Sequence, residues 1–161
     1  METVEVWMWL IAGLLIGSMI FITAYTLMGK HIRSQEVLQA KENYGMLKQI
    51  IETTCLSGIE ASETKQLIFP YRTEKIYVVD EEGIEEKGKK LCMKIEGEDE
   101  YCEDIKLCEV SMNSIVIPEK TNIFYLVQKA LGKKSVANIE FNIKKTGLKS
   151  ITITWKRKYV S

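Results

Sequence analysis

The chain has 161 residues, 22 basic and 22 acidic side chains, and a single histidine. A formal net charge of zero argues against general nucleic-acid binding, which normally needs a basic excess to meet phosphates. The single histidine, His31, follows directly on a long apolar run, at what would be a membrane interface, which argues against a His-dependent triad. One histidine cannot build a multi-histidine metal centre.

The first element in chain order is an apolar run. Val6 to Met28 is 23 residues without a charge. As a helix it would span about 34 Å, slightly more than a ~30 Å hydrocarbon core. Trp7 and Trp9 suit one membrane interface, and Tyr25 followed by Lys30, His31 and Arg33 suits the other. Met1–Glu5 carries no Lys or Arg and no small-x-small site closes the run, so it reads as a retained anchor rather than a cleaved signal. The expected partner of this segment is the lipid bilayer. Gly13 and Gly17 form a G-x-x-x-G pair, a pattern that lets a second helix approach closely, so self-association through this face is expected.

The helical pattern continues past Met28. Val37, Ala40, Tyr44, Leu47 and Ile51 recur at 3-4-3-4 spacing, one apolar face of an amphipathic helix that packs against its own domain. The expected organisation is an anchor over 1–29, an amphipathic stalk over 30–54 and a β-rich head over 55–161.

After Cys55 the periodicity changes. Residues 66–70, 75–79, 91–95 and 114–117 are short runs rich in Ile, Val, Tyr and Phe, and residues 137–143 and 149–155 alternate apolar with polar. Thr146-Gly147 reads as the turn of a hairpin between the last two. Ile123 to Leu131 fits either a strand or a short helix capped by Thr121 and ended by Gly132. The predicted fold class is α+β: a long N-terminal transmembrane and amphipathic helix followed by a small antiparallel β-sandwich-like domain.

Four cysteines stand in the chain. In a hairpin centred on Gly97, Cys92 and Cys102 fall directly opposite one another, near disulfide range. Cys55 and Cys108 then remain to pair, which would staple the helix to the sheet. Buried free thiols and a zinc site are the rival readings, the second weakened by the lack of a C-x-x-C knuckle. Two arguments about the membrane side conflict. Lys30, His31 and Arg33 place the head in the cytoplasm by the positive-inside rule, whereas paired cysteines place it outside. The cysteine argument is preferred here.

The layout resembles that of type IV pilin-like proteins, particularly archaeal ones. These have an N-terminal apolar helix, an amphipathic continuation and a β-rich head, and Val4-Glu5-Val6-Trp7 places a glutamate at the start of the apolar run as mature pilins do. Without a basic leader, the form the resemblance implies is an unprocessed, pilin-like membrane protein. Nineteen lysines, nineteen glutamates and three arginines add a hyperthermophile-like composition.

No chemistry-bearing motif was found: no Walker loop, no G-x-G-x-x-G and no G-x-S-x-G. The acidic run Glu96 to Glu100 lacks the ordered ligand spacing of a calcium loop and reads as a solvated hairpin tip. Eleven acids from Asp80 to Asp104, against ten bases and one acid from Lys120 to Ser161, suggest faces that could meet between copies or simply pair within one. The expected function is therefore a structural or assembly role with no enzyme activity, cofactor or metal. A membrane-tethered binding module or adaptor is the alternative.

Overall fold

The computed structural model describes residues 2–117 and 136–158. The expected element at Ile123 to Leu131 lies outside them. The chain begins with one α-helix, α1 (Glu2–Leu56), followed by β1 (Ser62–Pro70), β2 (Thr73–Val79), β3 (Lys87–Gly88), β4 (Lys90–Ile95), β5 (Tyr101–Asp104), β6 (Glu109–Met112), β7 (Ile115–Val116), β8 (Val136–Gly147) and β9 (Ser150–Lys158). The fold is α+β, as the change of periodicity near Cys55 implies.

Two compact units divide the chain, Met1–Glu36 and Val37–Ser161. The first is the apolar run and the turns that follow it. The second begins well before Cys55, because the amphipathic face of α1 is part of the head. Ala40, Tyr44, Leu47, Ile50, Ile51 and Cys55 are all buried in its core. Complete burial of side chains such as Leu47 and Ile51 contributes about 2 kcal/mol each. The segment read as a stalk is thus, from Val37 onward, the central helix of the head.

The strands form two sheets, ordered β1-β8-β9-β6-β3 and β5-β4-β2-β7. Their inner faces share one core with the helix: Leu67 and Phe69 of β1, Ile139, Phe141 and Ile143 of β8, Ile76 and Val78 of β2, and Leu91, Met93 and Ile95 of β4. Alternation along β8 and β9 places these side chains inward and their polar neighbours outward. At the far end Trp155 Nε1 donates to the Asn113 carbonyl at 3.1 Å and Arg157 donates to Val116 O at 2.9 Å, tying β9 to the other sheet.

The pairing is antiparallel with one exception. β6 runs parallel to β9, with Glu109 opposite Ser150 and Met112 opposite Ile153. This was not legible in the sequence, since β6 is a four-residue strand and its partner lies some forty residues away. The β8–β9 turn also differs from expectation. The strands continue through Thr146 and Gly147, a bulge after Lys145 absorbs the extra residue, and Leu148-Lys149 form the tip. Gly88 has a more stringent role. A Cβ there would lie 1.9 Å from the Val79 carbonyl oxygen, so only glycine lets β3 cross the end of β2.

Helix α1 ends at Leu56 with no basic residue in its last turn. The missing cation comes from a strand. Lys145 of β8 is 7% exposed, and its Nζ donates to the Cys55 and Ser57 carbonyls, each at 2.5 Å. An ammonium at this place satisfies carbonyls that the helix cannot satisfy itself and opposes the negative end of its dipole. Replacing it by an apolar isostere takes this donor from the buried Cys55 carbonyl and from the part-buried Ser57 carbonyl. Lys145→Met is expected to cost about 2 to 3 kcal/mol, read from urea unfolding of the full chain in mild detergent by near-ultraviolet circular dichroism.

Candidate functional site

The N-terminal unit offers one surface, the apolar helix itself. Every large apolar side chain from Val6 to Met28 is exposed. The helix is long and apolar enough to cross a membrane. Its polar groups are arranged for an apolar solvent. Ser18 donates to Leu15 O at 2.8 Å, Thr23 to Met19 O at 2.9 Å and Thr26 to Thr23 O at 2.9 Å, so each hydroxyl is satisfied within the helix. Val6, Trp9, Leu10 and Leu14 wall a shallow hollow floored by Gly13. Nothing stands within 4 Å of where a Cβ would be at Gly13 or Gly17, so both positions are open to an approaching helix.

In the head, the cysteines form two disulfides, Cys55–Cys108 and Cys92–Cys102. They do different jobs. Cys55–Cys108 is buried and joins the last turn of α1 to the loop before β6, across 53 residues. Cys92–Cys102 links directly opposed residues of β4 and β5 on the outer face of their sheet, closing only 10 residues. Gly97, at φ 75°, makes the turn that sets this register.

A polar clamp holds α1 against the β4–β5 edge. Tyr44 is fully buried, donates to Leu91 O at 2.6 Å, and meets the Tyr101 ring edge-on at 5.1 Å. Lys48 Nζ lies 2.6 Å from Glu103, whose other oxygen accepts from the Tyr101 hydroxyl. Lys41 sits over the Tyr101 ring at 5.6 Å. Hydrogen bonds from Lys48 and then from Tyr101 hold the Glu103 carboxyl below its ordinary range. Burial first, and the Glu103 charge second, push the Tyr44 hydroxyl well above its ordinary value. On the outer face, Tyr77 is pushed up to about 12, mainly by burial and then by its hydrogen bond to Glu100.

Among the described residues no group of three His, Cys, Asp or Glu side chains is placed to hold a metal ion. Comparison with protein-family models, curated proteins and solved structures found no match. The residues missed by sequence reading are Lys145, Lys48 and Glu103. Each acts on a partner more than fifty residues away, so no local pattern carries it.

By chain entropy the Cys55–Cys108 link is worth about 4 kcal/mol and the Cys92–Cys102 link about 3 kcal/mol. The second acts on a hairpin that strand pairing already closes, so the measured gap should be wider. Cys55→Ala with Cys108→Ala is expected to lower stability by at least about 1 kcal/mol more than Cys92→Ala with Cys102→Ala, in the same urea assay. The Glu103 clamp sets a pH dependence. A carboxyl lowered in the folded state contributes stability above its unfolded pKa and loses that contribution as pH falls through the folded one. Glu103→Gln should therefore be less stable than wild type at neutral pH, with the difference closing below about pH 4.

Proposed function

We propose that this protein is a single-pass membrane protein with a non-catalytic, structural role, in which a disulfide-stapled head is presented outside the cytoplasm for assembly. The observation that carries this reading is the continuity of α1: a single helix, Glu2–Leu56, begins as a lipid-compatible span and ends as the core element of the head. A binding module on a flexible tether needs no such sharing, because its core is complete without the tether. An anchor that is also core suits a protein whose work is to hold its head in a fixed relation to others. The same layout supports the resemblance to pilin-like proteins.

Two disulfides in one small head, with no free cysteine among the described residues, support an oxidising compartment. Against this stand Lys30, His31 and Arg33 on the head side of the span. A short basic cluster biases insertion, whereas stable disulfides require the compartment that forms them. The second argument is the stronger.

The reading is tested with the full chain in its membrane. Alkaline carbonate should leave it in the pellet, and an impermeant maleimide should label intact cells only after an impermeant reductant. In mild detergent the chain should run as an oligomer that Gly13→Leu or Gly17→Leu weakens. Labelling only after lysis would place the head in the cytoplasm, and a strict monomer in the membrane would end the assembly reading.

A further inference from the structure

One end of the head carries two surfaces of opposite character. The first gathers at the end of α1, where Leu56 and Ile59 are exposed. The Cys55–Cys108 bridge brings the exposed Leu107 to the same place. The Glu109 amide donates to Lys149 O at 2.9 Å, which adds Leu148, 81% exposed. Lys106, Lys144 and Lys149 are exposed in the same segments, against the acid Glu60. The second surface is the hairpin between β2 and β3. Val79 pairs with Glu85, the Asp80 carboxylate accepts from the amides of Glu82 and Ile84, and Gly83 supplies the positive φ of 82°. Asp80 thus builds the turn, while Glu81, Glu82 and the aliphatic Ile84 are left exposed. Glu81, Glu82, Lys106, Lys144 and Lys149 have no ion-pair partner among the described residues.

The two surfaces stand at one level and on opposite sides. β5 runs alongside α1 in the same direction, since Tyr101 meets Tyr44, Glu103 meets Lys48 and Cys108 meets Cys55. From Lys48 to Cys55 the helix rises about 10 Å. Val79 is opposite Lys90, and Lys90 opposite Asp104, so the hairpin leaves its sheet one residue past the level of Glu103. Two further residues of extended chain carry its turn about 7 Å on, level with the end of the helix. Sideways the two are apart. α1 lies at the β1 and β5 edges, bonded to Ile68 of one and Glu103 of the other. The hairpin rises from β2 where Val79 meets Gly88 of β3, the opposite edge strand of the five-stranded sheet from β1.

We propose that the acidic hairpin of one head, Asp80 to Ile84, docks on the lysine-bearing aliphatic surface at the end of α1 in a second copy. Ile84 meets Leu107 and Leu148, and Glu81 and Glu82 meet Lys106 and Lys149. The contact deepens the assembly reading and rests on it for bringing copies together. Because the surfaces are level along α1, a shift, or a rotation about an axis parallel to that helix, brings one onto the other. Such an operation keeps Val37 at the same end of every head, as copies in one membrane require. The contact is heterologous: each head offers its hairpin to one neighbour and its aliphatic surface to the next, giving a ring or an open row. Charge selects this occupant. An anionic lipid surface would be repelled by the hairpin at the same end of the head, and the anchors favoured by foreign protein partners, Trp, Tyr and Arg, are missing from the aliphatic surface.

The test is crosslinking of the full chain in membranes with a short bismaleimide, which reacts with added thiols and leaves the native disulfides intact. Ile84→Cys and Leu148→Cys should each stay uncrosslinked alone and give a dimer when mixed. Both changes in one chain should give a ladder of trimers and larger species. In that doubly substituted chain, Glu81→Lys with Glu82→Lys, or Lys106→Glu with Lys149→Glu, should lower the crosslinked yield about tenfold, as two exposed ion pairs become repulsive. Mixing the two charge variants should restore it, because each reversed surface then meets its complement, and rescue shows that both are folded. A yield indifferent to charge, a loss that mixing fails to reverse, or a Leu148→Cys product with a different protein would overturn the proposal. Oligomers that depend on Gly13 and Gly17 but give no crosslink between positions 84 and 148 would overturn it and leave the assembly reading standing. A chain that forms no oligomer at all would overturn both.

Discussion

The structure of the head depends on one helical face being used as core. Val37 to Leu56 has no alternative way to hide Tyr44, Leu47 and Ile51, and neither sheet has another partner in the described chain for the side chains they meet. Each sheet has one apolar face that must be covered. The helix fills the space between them and holds both. Asn43 bonds to β1, Tyr44 and Lys48 to the β4–β5 hairpin, and Cys55 to the loop before β6. These four contacts, spread from Asn43 to Cys55, reach three different parts of the head.

The polar contacts follow a consistent rule. Groups that the helix leaves unsatisfied are answered from far away in sequence, and each answer is charged or buried. The C-terminal carbonyls receive Lys145, and the Tyr101 edge receives Lys48 through Glu103. In a small domain such contacts do more for the choice of one arrangement than for its depth, because a misplaced helix would leave a buried ammonium or carboxylate unpaired. The exposed ion pairs, such as Lys87 with Glu109, add little by comparison.

How much of this the sequence discloses follows from the range of the interactions. The apolar run, the 3-4-3-4 stripe and the alternation in β8 and β9 are local patterns, and each reads correctly from a window of a dozen residues. The Cys92–Cys102 pairing is legible for the same reason, because a symmetric hairpin about Gly97 fixes it. The head's true beginning at Val37 is only half legible. The stripe reads as a face that packs against its own domain, but it does not mark where the core of that domain starts. β3, β6 and the parallel β6–β9 pair lie beyond any local rule, being two to four residues long with distant partners.

The order in which the head can form follows from the same ranges. Among the described residues β1 pairs only with β8, and Ser62 lies opposite Lys144, so that pairing waits for the last strands. The cap on α1 waits for Lys145, which belongs to that same strand. Until then Val37 to Leu56 exposes its apolar face, and the closure entropy of the whole intervening chain must be met before these contacts form. The β4–β5 hairpin is local by contrast and can close early, with its own disulfide to hold it. Cys55–Cys108 closes an intermediate range, 53 residues, and needs neither β8 nor β9. A long-range disulfide at this place therefore ties the last turn of the helix to the head independently of the Lys145 cap, and restricts the unfolded chain as well as the folded one.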